Sequence, residues 1–317
     1  MRKVLNAERL DGSIKALQLI VRAGGISNAR NMSESTGDAV VANVLKSMST
    51  DSLDTQGMAN QAFDDLLVLA SRQSLIGKID AAQPFRHLPE NTRYLTQLGG
   101  GNASFVGEAL PISVSDQSLS TDRLQCKRVC ALQIYTDELV KNLDAGRVFA
   151  GDLVRLVADA ESAAFIGTDA AGVAPAGILH GVSVAQGGSD ARDDLESLLA
   201  AFEGDLGRSV VVASPAAAVR LARYYQGAAV ANGDVAGLPL VTHHAVPANT
   251  LVVLQPDRIA FNDGGMSVEQ SKEAIVYTDA DEPISVFQQN LVAFRALRWV
   301  DWKPSIDAVA AITGNWS

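Results

Sequence analysis

The segment from Asp144 to Ile166 constrains this chain more than any other. Apolar side chains recur there at helical spacing through Val148, Phe149, Leu153, Leu156, Val157, Ala160, Ala164 and Phe165. Arg147, Asp152, Arg155, Asp159 and Glu161 fall largely on the other side. Asp144 stands where an N-cap is wanted, and Gly167 where a helix ends. At 1.5 Å per residue such a helix is about 34 Å long, enough to brace a whole domain. Further elements follow it in an α/β rhythm. Asp190 to Phe202 reads as a helix, Ser209–Ala213 as a buried strand, and Ser214-Pro215 as the N-cap and first residue of a helix through Tyr225. Strands are expected at Leu238–Thr242, Thr250–Leu254, Met266–Gln270 and Ala274–Thr278, and the block from Leu291 through Trp299 to Ile312 alternates as strands.

The region before the long helix is different in kind. Leu5, Leu10, Ile14, Leu17 and Val21 suggest an amphipathic helix ending at Gly24-Gly25, weakened by Gly12. Residues 26–60 are rich in Ser, Asn, Asp, Thr and Met with little periodicity, which is the composition of an arm or linker. A compact apolar stretch runs from Phe63 to Ile79, after which Pro84 and Pro89 impose an extended connection. Thr92–Leu98 reads as a strand, Gly99-Gly100-Gly101 as a break, and Ser118 to Cys126 as a polar alternating strand. Two strands with a long polar tip and few large apolar residues cannot bury themselves, so the hairpin at 92–128 is expected to project and lie on a neighbour.

Composition excludes several function classes. The chain has 317 residues, of which 47% are hydrophobic and 20% charged, a globular balance with only 5% aromatics. A net charge of −10 argues against a protein whose main task is gripping phosphate backbones. The charge is uneven: residues 1–50 hold seven basic against four acidic residues, a surplus of +3, which leaves −13 for the remainder. Cys126 and Cys130 lie in an extended stretch, where four residues span about 13 Å, beyond disulfide reach. His87, His180, His243 and His244 have no ligand-like spacing with that pair. The N-terminus has no apolar signal core, and no run approaches the roughly 20 apolar residues of a membrane span. A soluble chain with reduced thiols, made in the cytoplasm, is expected.

The motifs that carry chemistry are absent or incomplete. There is no Walker A sequence, and Gly99-Gly100-Gly101 lacks the strand-then-helix setting of a dinucleotide site. Ser104 and Ser214 lack the glycines of a nucleophile elbow. His243-His244 follows a strand with no nucleophile nearby in sequence, and His87 reads as a packing or surface residue. Asp279, Asp281 and Glu282 read as a solvated turn, since they lack calcium-loop spacing. No catalytic, metal or cofactor site is expected, and no cofactor.

The order of the pieces is itself a pattern: polar arm, hairpin, long helix, α/β domain, return through strands. Val106-Gly107-Glu108-Ala109-Leu110-Pro111 followed by Ser118–Arg123 resembles the E-loop of HK97-type major capsid proteins of tailed bacteriophages. Ala131-Leu132-Gln133-Ile134-Tyr135-Thr136-Asp137-Glu138-Leu139 is similar to the strand and turn that lead into that family's spine helix. Glu161–Asp169 with Pro175-Ala176-Gly177-Ile178-Leu179 resembles the turn opening its axial domain, and Gly237-Leu238-Pro239-Leu240-Val241 resembles a segment before its final peripheral-domain strands. The resemblance spans about residues 50–317.

The resemblance implies an α+β HK97-like capsid fold. Its parts would be an N-terminal arm at 1–60, a peripheral domain from 61–91, 129–167 and 251–290 including a spine helix at 144–166, an E-loop at 92–128, and an axial domain from 168–250 and 291–317. It implies a non-enzymatic major capsid protein that self-assembles as pentamers and hexamers into an icosahedral shell, assembled in the host bacterial cytoplasm and located in the virion. That shell would enclose viral DNA without sequence-specific binding, with scaffold, portal and decoration proteins as partners and no membrane. An encapsulin-like nanocompartment shell is the alternative within the same fold. Glu108–Pro111 carries no lysine and the nearest, Lys127, lies at the hairpin base, so the covalent crosslink of some members is not expected. The short segment before the match leaves a separate scaffold protein or prior processing open.

Overall fold

The computed structural model describes residues 33, 73–97, 119–140, 145–225, 227–228, 233–277, 282–305 and 307–316. The expected helix at 5–22, the arm at 26–60 apart from Ser33, the Gly99–Gly101 break, Ser104, Glu108–Pro111, the Asp144 cap, Asp279 and Asp281 all lie outside the described residues.

In chain order the elements are α1 (Leu75–Ala82), β1 (Arg86–His87), β2 (Arg93–Gln97), β3 (Leu119–Arg123), β4 (Lys127–Thr136), α2 (Asp137–Val140) and α3 (Ala145–Ile166). They continue with β5 (Ala185–Gln186), α4 (Ala191–Ala201), β6 (Val210–Ala213), α5 (Pro215–Leu221), β7 (Gly233–Val235), β8 (Leu238–Thr242), β9 (Thr250–Leu254) and β10 (Ile259–Ser271). The last are β11 (Ile275–Tyr277), β12 (Pro283–Ser285), β13 (Leu291–Pro304) and β14 (Val309–Thr313). This is a mixed helix-and-sheet protein that divides into two units. The first is built mainly from Arg128–Glu161 and Gly265–Trp299, the second from Leu75–Lys127, Ser162–Gly264 and Val300–Ser317.

In the first unit α3 supplies Leu153, Val154 and Val157 to a core shared with Met266, Val292, Phe294 and Ala296. The Tyr135 and Phe149 rings stack with centroids 3.7 Å apart at its margin. The buried face of α3 runs Leu153, Val154, Val157, Ala158, Glu161, Ser162, Phe165, Ile166, four pairs at near-helical repeat. This face is rotated from the expected stripe, since Leu156 and Ala160 are exposed while Glu161 is buried. The reason is electrostatic: Arg298 Nε donates to Glu161 Oε2 at 3.2 Å, both side chains are at most 4% exposed, and a paired charge can enter a core that an unpaired one cannot.

The second unit holds a six-stranded sheet in the order β5–β14–β9–β6–β8–β7. Its central strands β6 and β9 are antiparallel and buried at every position, which is why they read as unbroken apolar runs. Leu195, Leu198 and Phe202 from α4, and Ala217, Ala218 and Leu221 from α5, pack with Val211, Val253, Ile312 and Trp316. Asp190 caps α4 by accepting from Arg192 N, and Ser214 caps α5 by accepting from Ala217 N at 3.2 Å with Pro215 behind it. α5 stops at Leu221 rather than Tyr225. The Leu221 carbonyl takes both Tyr224 N and Tyr225 N, which closes the chain into a turn.

A further correction concerns a strand. β10 spans thirteen residues, not the five from Met266 to Gln270, because Asn262-Asp263-Gly264-Gly265 stays extended instead of turning. Gly265 makes this feasible with φ +90°, a conformation other residues rarely adopt. The turn after α3 depends on a different glycine. A Cβ at Gly177 would sit 1.9 Å from the Gly167 carbonyl oxygen, so only glycine permits the close pass that brings Ile178 N to Phe165 O at 2.8 Å. Among the described residues no helix is long and apolar enough to cross a membrane.

Candidate functional site

The residues that could carry chemistry are each engaged in local structure. His243 is buried and its Nδ1 accepts from Ala245 N at 3.1 Å, which staples the turn after β8; the His244 ring lies 4.2 Å away, centroid to centroid. His180 Nδ1 contacts Thr168 O at 3.0 Å. Ser214 is the helix cap already described. Cys126 and Cys130 are both free, and Cys126 Sγ donates to Asn262 Oδ1 at 2.9 Å. His87 pairs with Asp80 at 2.9 Å. The hydrogen bond to Asp80 raises the His87 pKa above its ordinary value. Partial burial pushes the Asp80 carboxyl up, but the bonds from His87 and from Phe85 N outweigh it and leave its pKa lowered.

The surface is more informative than these groups. The hairpin strands β2 and β3 pair antiparallel, Arg93 facing Arg123, Tyr94 facing Asp122 and Gln97 facing Leu119. Within the described residues this two-stranded sheet has no third strand. Its body presents Leu95 at 59% exposure, while its root is fastened. Tyr94 and Leu124 are buried against Ala260 and Leu88. Asn91 N donates to Leu124 O, Gln125 N to Asp301 Oδ2 at 2.7 Å, Asn262 Nδ2 to Leu88 O at 2.7 Å, and Lys303 to Asp122. Burial at this root raises the Asp301 pKa. This two-stranded ribbon has a fixed base and leaves apolar and cationic side chains uncovered.

The first unit carries a second such feature. In the ribbon β11–β12 Ile275 faces Ser285 and Tyr277 faces Pro283. Ile275, Tyr277 and the following Phe287 are 63%, 64% and 76% exposed. Ile275 and Tyr277 read from sequence as ordinary strand, Phe287 falls in none of the expected elements, and nothing in their spacing marks them as surface. The signal that could have found them is the shortness of the ribbon, since three-residue strands cannot cover their own side chains.

Comparisons with known proteins bear on what these surfaces meet. The model of the phage capsid family matches residues 65–314. The capsid polyprotein of Pseudomonas phage PAJU2 is 27% identical over an alignment of 346 positions, covering 96% of this chain and 49% of that protein. The chain thus spans about half the length of that curated relative. The solved capsid of a native GTA particle shares 14% identity, with 78% of this chain and 90% of that chain covered and a TM-score of 0.55. A solved chain from Mycobacterium phage Adephagia shares 13% identity, covering 76% of this chain and 90% of that one, also at 0.55. At such identities the likeness is one of fold.

Proposed function

We infer the function from one premise: this chain belongs to the phage capsid family, whose model covers residues 65–314, and it acts as the major capsid protein of a bacteriophage head. The observation that carries this reading is the combination of family match and a root-fastened hairpin with an outward apolar and cationic face. A closed shell gains stability from many repeated contacts, and such a hairpin supplies one to every copy. Its relatives favour a phage head over an encapsulin-like compartment.

In this reading α3 is the spine helix, the segment 92–128 is the E-loop lying across an adjacent subunit, and residues 1–60 form the arm. The peripheral domain is 61–91, 129–167 and 251–290 and the axial domain 168–250 and 291–317, with two changes that this reading makes: β9, paired within the six-stranded sheet, goes with the axial domain, and Leu291–Trp299, in the first unit, with the peripheral one. The role is structural and non-enzymatic. Copies assemble as pentamers and hexamers around DNA that is contained, not read, in keeping with the chain's net charge of −10. Scaffold, portal and decoration proteins are the further partners, and the virion is the site of action.

Electron microscopy of the purified chain tests this. Closed shells of uniform radius containing nuclease-protected nucleic acid are expected. A chain that remains monomeric at every concentration and salt would overturn the assignment.

A further inference from the structure

The hairpin register places two arginines directly opposite one another. Arg93 of β2 and Arg123 of β3 are Cα partners in an antiparallel pair, where facing side chains stand about 5 Å apart at Cβ. Both residues are exposed, and among the described residues neither has an ion-pair partner. Like charges facing each other across a ladder destabilise it. The neighbouring carboxylate does not relieve them, because strand alternation sends Asp122 to the other face, where Lys303 binds it. Alternation also puts Leu95 and Thr121, both exposed, on the same face as the arginines. The face therefore combines two fork-shaped donors with an apolar side chain, a composition enriched at protein interfaces.

We propose that this Arg93–Arg123 face is a carboxylate-receiving site filled by an exposed acidic side chain of a second copy of this chain. The proposal deepens the capsid reading and rests on it only for the kind of assembly that results. Charge complementarity selects the occupant. Outside residues 1–50 the chain carries −13, so acidic surface is what another copy mainly offers. Glu138, Asp169 and Asp234 are exposed and have no ion pair among the described residues. A carboxylate between the two forks accepts from both and cancels the repulsion, so the pair is unfavourable in the free subunit and favourable in the assembly.

That reversal of sign is the test. Self-association of the full chain is followed by analytical ultracentrifugation at low and high salt, and unassembled subunit is melted in parallel. The double variant Arg93→Glu/Arg123→Glu should raise the concentration needed for self-association about tenfold or more. Arg123→Gln should weaken association while leaving the Tm of the free subunit unchanged or higher. Arg93→Lys/Arg123→Lys should retain association at low salt and lose it as salt rises. Unchanged association in the charge-reversed variant overturns the proposal, whether or not the wild type forms closed shells. A Tm that falls in step with association overturns it too, since the arginines would then be merely structural. Normal shells that have lost only their nucleic acid would assign the face to phosphate instead. Arginine-dependent self-association into something other than closed shells upholds this site and sinks the capsid reading. A wild type that does not self-associate sinks both.

Discussion

The six-stranded sheet and the β2–β3 hairpin are both built of short strands, yet they solve the same problem oppositely. Val210–Ala213 and Thr250–Leu254 are buried at every position, each flanked by strands on both sides. Their hydrogen bonds and side chains are satisfied within one chain. Among the described residues, Arg93–Gln97 and Leu119–Arg123 have only each other as strand partners, and they turn Leu95 and two arginines outward. The first region derives its stability from intramolecular burial; the second defers its stability to a partner. In the proposed role a subunit folds alone and then assembles, so it needs both kinds of region, and substitutions should separate them.

The largest effects belong to the interior. Arg298→Met leaves Glu161 buried without the Arg298 guanidinium, and should cost about 3–5 kcal/mol of subunit stability in urea melts. A loss under about 1 kcal/mol would show that this interior tolerates charge as the hairpin does. Leu251→Ala, in a fully buried β9, should cost about 2–5 kcal/mol. Ser214→Ala removes the α5 cap and should cost about 1 kcal/mol.

Smaller effects are expected toward the hairpin. The His87–Asp80 pair sits near its root, and the sign of its pH dependence follows from the two shifts. The raised His87 pKa contributes stability fully present below the ordinary histidine value and lost as pH rises through the folded value. The lowered Asp80 pKa contributes stability present above the ordinary aspartate value and lost as pH falls through the folded one. Thermal melts of wild type and His87→Gln should therefore differ most between about pH 4 and 6.5 and converge only as pH rises through the raised folded-state value of His87. Both groups are more than a third exposed, so the difference should stay below about 1 kcal/mol. Smallest is Leu95→Ala, which should change free-subunit stability by less than about 0.5 kcal/mol while weakening self-association measurably. A large loss of subunit stability there would break the comparison, because the hairpin would then belong to the subunit's own core.

Local chemistry was the most legible part of this fold. Asp190 and Ser214-Pro215 mark their helices because capping groups act within three residues, and Leu238–Thr242 and Thr250–Leu254 match because central strands need continuous apolar runs. What depended on distant partners was not legible. Glu161 looked solvent-facing until Arg298, far along the chain, came to meet it. The strand expected at Met266–Gln270 begins earlier, at Ile259, because the extension of the polar Asn262–Gly265 stretch depends on neighbouring strands that local spacing does not reveal. The facing of Arg93 and Arg123 could not be read either, because strands so far apart in sequence carry no two-residue turn signal from which a register follows.

The position of β14 has a consequence for the order of events in making the protein. This strand lies between β5 and β9, pairing parallel with one and antiparallel with the other. During synthesis β9 emerges about sixty residues earlier and must wait with one edge unpaired until residues 309–313 arrive. The distal strand therefore acts as a timer: the sheet cannot close, and β9 cannot be shielded from a neighbouring nascent chain, before nearly all of this sequence has been translated.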